Sequence, residues 1–153
     1  MGQDDRRVAL DTSVIVAALL GAHEHHALAG PFVATCRTSS ELILPLPALI
    51  ESYSVLTRLP LPLRLERTAV RDALRQTFRG HCRIVALNGE GGWDLLDHAV
   101  TGETTGGAVY DLHIATCALS GAATHLATFN RRHFERFNLA DIVIVVPGSA
   151  GRR

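Results

Sequence analysis

Short apolar runs alternate with longer helix-patterned stretches from one end of this chain to the other. That alternation confines it to repeated β/α units and excludes a sandwich or a helical bundle. Strands are predicted at 8–11, 42–45, 82–87, 125–129 and 142–146. The first helix follows Thr12 and Ser13 as capping residues and closes at Gly21. A second helical stretch covers about 25–38, with a break at Gly30-Pro31. Pro47 suits the first position of the next helix, and the prolines at 60 and 62 end it. An amphipathic helix is predicted over 66–79. Asn88-Gly89 and Gly91-Gly92 read as turns around a helix containing Trp93, and 102–107 reads as a loop. Helices at 109–119 and 131–137 complete the pattern. No repeat or linker divides the 153 residues. One domain over 1–153 is expected, with its core at about 8–147 and a frayed tail at 148–153.

In a parallel sheet, strand C-termini and helix N-termini share one edge, where ligands bind. Four oxygen-bearing side chains fall there. Asp11 and Asn130 end strands, Glu51 lies in the first turns of the helix after 42–45, and Asp111 opens the helix at 109–119. Each has a bland reading: a helix cap for Asp11, a solvated acid for Glu51, a dipole partner for Asp111, a turn start for Asn130. Their coincidence on one edge is what counts. Like charges gathered there repel unless a cation lies between them. Oxygen donors without cysteine or histidine at ligand spacing suit a hard cation, Mg²⁺ or Mn²⁺.

Composition permits this. Hydrophobic residues make up 47% of the chain, enough for a sizeable core. No stretch is long and apolar enough to span a bilayer, and no signal-like run precedes the first strand. Cys36, Cys82 and Cys117 are odd in number and lie among apolar residues. Reduced thiols and a cytoplasmic protein are therefore expected. Formal net charge is zero, so no overall basic charge argues for nucleic acid. All fifteen basic residues are arginine.

These residues sit within a recognisable pattern. Val-Ala-Leu-Asp-Thr-Ser-Val-Ile-Val-Ala-Ala-Leu at 8–19 resembles the opening motif of PIN-domain nucleases, as does Pro-Ala-Leu-Ile-Glu-Ser-Tyr-Ser-Val-Leu-Thr-Arg-Leu-Pro at 47–60. Val-Tyr-Asp-Leu-His-Ile-Ala-Thr-Cys-Ala at 109–118 and Leu-Ala-Thr-Phe-Asn-Arg-Arg-His-Phe at 126–134 complete the set in family order. The chain resembles most the VapC branch, the toxin halves of toxin–antitoxin pairs. The resemblance implies a three-layer α/β/α fold on a parallel five-stranded sheet of order 3-2-1-4-5. It implies metal-binding roles for Asp11, Glu51 and Asp111. Asn130 stands where the family often has aspartate, which removes one charge and weakens any second metal site. Ser13 and Thr128 match hydroxyl positions near the site. Also implied are an RNA substrate, a homodimer and a cognate antitoxin.

The chemistry expected is hydrolysis of RNA phosphodiesters by a metal-activated water, leaving 5′-phosphate and 3′-hydroxyl ends. No serine, cysteine or histidine nucleophile is needed. A PIN-fold binding or regulatory subunit with little turnover is the alternative, and Asn130 is its sequence support. A receiver domain is disfavoured by the lack of lysine, and a haloacid-dehalogenase-like phosphatase by Ser13 where a second Asp belongs. Gly89 to Gly92 lacks the ending of a phosphate-binding loop.

Arg131 and Arg132 directly follow Asn130 and are candidates to grip an RNA phosphate. Arg64, Arg67, Arg71, Arg75 and Arg79 lie near one helix face, which reads as a solvated face, an RNA track or an antitoxin contact. His23, His25 and His26 read as a solvated turn rather than a zinc site. Surface placement is expected for His113 and His133.

Overall fold

The computed structural model describes residues 5–139 and 141–149. Its sheet is five-stranded, in the order β3-β2-β1-β4-β5, with β1 Arg7–Leu10, β2 Glu41–Pro45, β3 Arg83–Val85, β4 His125–Ala127 and β5 Val143–Val145. Every pairing is parallel. The strand order matches the one the resemblance implies. Val8, Leu42 and Leu126 lie in neighbouring strands and are almost wholly buried, as expected of strands covered on both faces.

Helix α1 (Thr12–Leu19) is the most enclosed helix. Its Val14, Ile15 and Ala17 are inaccessible. It packs against α2 (His26–Ser39) and α3 (Leu46–Thr57). Helix α4 is Arg67–Phe78, α5 Gly89–Thr101, α6 Ala108–Ser120 and α7 Arg131–Glu135. Val70, Leu74 and Phe78 of α4 are buried at helical spacing while the rest of that helix faces outward. Phe134 of α7 is fully buried and anchors that short helix to the core.

Several local expectations change. Pro31 sits inside α2 without breaking it, losing only the bond that its missing N–H cannot make. Pro47 occupies the second position of α3, because Leu46 already belongs to the helix. The glycines at 89, 91 and 92 lie within α5 rather than in flanking turns. The Asn88 side chain accepts from the Gly91 amide at 2.8 Å and starts the helix there. The third, fourth and fifth strands are each shorter than their apolar runs. Of the expected frayed tail, only Gly148 and Ser149 fall within the described residues. Among these residues no helix is long and apolar enough to cross a membrane.

Candidate metal centre

The register β1–β4 sets the site. Leu10 pairs with Ala127, and the ladder extends one step further as the Asp11 amide donates to the Ala127 carbonyl at 2.9 Å. Asp11 and Thr128 therefore leave the sheet side by side. Asp11 occupies the N-cap position of α1, yet its side chain caps nothing. Its Oδ2 instead accepts from the Ser13 hydroxyl at 2.6 Å and the Thr128 hydroxyl at 2.8 Å. Thr12 donates to Glu51 Oε2 at 3.0 Å. The expectation that Thr12 and Ser13 cap α1 fails because Asp11 holds the N-cap position and both residues already lie inside the helix. Their hydroxyls donate to carboxylates, and Ser13 Oγ accepts from the Phe129 amide, not from a helix N–H.

A further chain of bonds holds this edge. Ser13 Oγ accepts from the Phe129 amide at 3.0 Å, and Thr128 Oγ1 accepts from the Asn130 amide at 2.9 Å. Two hydroxyls thus tie the loop after β4 to the start of α1 while orienting one carboxylate. His25 stacks on Phe129 with ring centroids 4.4 Å apart. His26 Nδ1 lies 2.9 Å from the Ala17 carbonyl. His23 and His25 thus lie in a turn as expected, but the three histidines are half-buried and packed rather than fully solvated.

Asp11 is only 3% exposed. Burial pushes its pKa above the usual 3.8, the two hydroxyls pull it back, and the negative charge of Asp111 raises it again. Glu51 is likewise raised by burial, against the Thr12 hydrogen bond, with the charges of Asp11 and Asp111 adding to the rise and Arg58 opposing it. Three carboxylates thus feel one another across the end of the sheet. Their convergence is looser than the sequence pattern suggests. Among the described residues no three His, Cys, Asp or Glu side chains stand close enough to enclose a metal ion. Asp111, in the first turn of α6, takes its partners from α7: His133 Nδ1 at 3.1 Å and Arg136 Nη2 at 3.9 Å from Oδ2. Repulsion from the other two carboxylates favours that turn toward positive charge.

The donor set nonetheless suits a hard divalent cation. The partners of Asp11 are two hydroxyls and the Thr12 amide, none of them positively charged. Oδ1 of Asp11 and Oε1 of Glu51 receive no side-chain donor among the described residues. A buried, unpaired carboxylate is costly unless a cation meets it.

The remaining sequence candidates divide. Asn130 is exposed, and the hydrogen bond it brings to this edge is made by its backbone amide. Arg131 donates to the Ile144 carbonyl at 2.9 Å and pairs with Glu135 at 3.5 Å, so it braces β5 and is not free for a phosphate. Arg132 is exposed with no partner among the described residues. Arg136 is the contributor that the sequence did not single out, while Thr12, expected as a cap, meets Glu51, and His133, expected at the surface, is exposed and meets Asp111. Thr12 and His133 lie inside the first and fourth motifs, and Arg136 follows His133 by about one helical turn.

The sequence profile of the PIN domain matches residues 8–139, the span that holds every element of this site. The chain belongs to the PIN-domain family. This PIN domain is 36% identical over 131 residues to Ribonuclease VapC40 of Mycobacterium tuberculosis, covering 85% of the chain and 91% of that protein. It is 35% identical over 139 residues to Ribonuclease VapC27 of the same organism, covering 91% and 96%. Its fold is also that of a chain in the VapBC2 complex of Rickettsia felis, solved with a promoter DNA fragment. The TM-score there is 0.64 at 15% identity, over 92% of this chain and 98% of that one. Within its family, the PIN domain described here stands with the VapC proteins.

Proposed function

We propose that this PIN domain is a divalent-metal-dependent endoribonuclease, the toxin component of a toxin–antitoxin pair. One observation carries the reading: Asp11 is buried, oriented by two hydroxyls, electrostatically coupled to Asp111, and matched by no positive charge. Mg²⁺ or Mn²⁺ is the cation proposed, held by Asp11, Glu51 and Asp111, with Asn130 beside them at the rim. When bound, such an ion neutralises charge on the scissile phosphate and lowers the pKa of a water.

The chain's own residues do the rest. Ser13 and Thr128 fix which oxygen of Asp11 faces outward, and Thr12 does the same for Glu51. The raised pKa of Glu51, half-exposed beside a groove, suits it to accept the proton of an attacking water. Asp111 must leave His133 to join the other two carboxylates.

VapC40 and VapC27, both named ribonucleases, support an RNA substrate. The VapBC2 likeness supports an antitoxin partner. A groove of about 500 Å³ between α3, α4 and β3 has the surface for one: Leu49, Ile50 and Phe78 line it, with Arg71, Arg75 and Arg79 at its rim. Trp93, Leu96 and Val100 share one exposed face of α5 and support a homodimer. Three free cysteines fit the cytoplasm.

The test is cleavage of single-stranded RNA by antitoxin-free protein in Mg²⁺ or Mn²⁺, with sequencing of the ends. Cleavage leaving 5′-phosphates and lost in Asp11→Asn is expected. A protein that cuts no cellular RNA is instead a binding or regulatory subunit.

A further inference from the structure

A phosphodiester strand approaching three carboxylates is repelled, so a fixed cation beside them is needed as well as any metal. Of the arginines that directly follow Asn130, Arg131 is committed to Ile144 and Glu135, and Arg132 is exposed with no contact that orients it toward the carboxylates among the described residues. Arg136 is placed differently. Its Nε donates to the His133 carbonyl at 3.0 Å, and its guanidinium lies 5.2 Å above the Phe137 ring. These two contacts fix one side of the fork and leave Nη2 facing Asp111 at 3.9 Å. That distance is too long for a hydrogen bond, and both partners are partly exposed, so transferring the guanidinium to another anion costs little.

A second observation extends the path. Arg136 also lines a groove of about 580 Å³ between α5, α6 and the segment after α7. Thr101, Thr104, Thr116 and Asn138 add hydroxyl and amide groups along it, and no acidic side chain is among its lining residues. The groove therefore starts at Arg136, beside Asp111, and continues between mostly apolar walls, among them Leu112, Leu119 and Phe137, against which bases can lie.

We propose that Arg136 grips the substrate backbone at a phosphate neighbouring the one cleaved, and that the strand runs on from it into this groove. The inference rests on the nuclease reading above and names the residue that holds its substrate. Arg136 exchanges the loose contact with Asp111 for a charge-assisted fork on the phosphate, which removes one of the two contacts that turn Asp111 toward α7.

Binding measured without turnover tests this. Fluorescein-labelled single-stranded RNA of mixed sequence is titrated with Asp11→Asn protein in metal-free buffer at several salt concentrations, and anisotropy is read. Added Arg136→Ala or Arg136→Gln should each weaken binding about five- to tenfold and lower the log–log salt slope by about 0.7, the value for one phosphate on a single strand. Arg136→Lys should keep the slope. Unchanged affinity and slope in both neutral variants, or a larger loss for Arg132→Ala, overturns the proposal. Failure of the nuclease reading is seen separately, as no cleavage by the metal-loaded parent whatever the isotherms show.

Discussion

Thr128 hands its hydroxyl proton to Asp11 across the β1–β4 pair at 2.8 Å, from a side chain with no solvent exposure. The same oxygen accepts the Asn130 amide. One hydroxyl therefore orients the most buried acid of the site and closes the loop that leads to α7.

Replacing that hydroxyl with a methyl group tests its contribution. Thr128→Val keeps the volume but leaves Asp11 and the Asn130 amide each short of a partner. A loss of about 1–3 kcal/mol is expected in urea denaturation, the cost of buried groups left unsatisfied. Thr128→Ser should retain most of the stability. An unchanged midpoint for Thr128→Val would show that the hydrogen bond contributes nothing net.

The stability that Asp11 and Glu51 contribute should fall with rising pH in metal-free buffer. Folding raises the pKa of Asp11 and Glu51 above 3.8 and 4.5, so the folded chain binds protons that the unfolded chain has released. The favourable contribution is complete below the unfolded values and disappears as pH climbs through the raised folded ones. Calorimetry of the parent and Asp11→Asn across the acid range should show the parent losing Tm relative to the variant. Parallel curves would contradict the raised Asp11 pKa.

Mn²⁺ should reverse that loss. An ion that binds only the folded state stabilises it by about 2.7 kcal/mol at a hundred times its Kd. Thermal shifts with Mn²⁺ should be large for the parent and mostly absent for Asp11→Asn and Glu51→Gln. An equal shift in all three proteins places the ion elsewhere.

Phe134→Ala should destabilise the fold by about 3–5 kcal/mol, since Phe134 is fully buried and anchors α7. The same change should weaken RNA binding more than an equally destabilising change in α2, because α7 carries His133 and its C-cap is Arg136. Matched losses from the two helices would mean that α7 has no special part in holding substrate.

The alternation of strands and helices, and the ends at which Asp11 and Asn130 stand, were legible in the amino-acid order. Apolar runs and capping residues act within a few positions, so they appear in any linear reading. Asp11 at the end of 8–11 and Asp111 at the start of an apolar helix needed no coordinates. Element lengths were less legible: the run at 82–87 reads as a longer strand than β3, because ladder bonds depend on the neighbour. The hydroxyls beside Asp11 came from the resemblance, which placed Ser13 and Thr128 near the site, but the partners of Glu51 and Asp111 were not legible. Thr12 meets Glu51 from 39 positions away and His133 meets Asp111 from 22, pairings made by how α1 packs on α3 and α6 on α7. Local chemistry put the acids on a shared edge; packing between distant helices chose which hydroxyl, imidazole and guanidinium would face them.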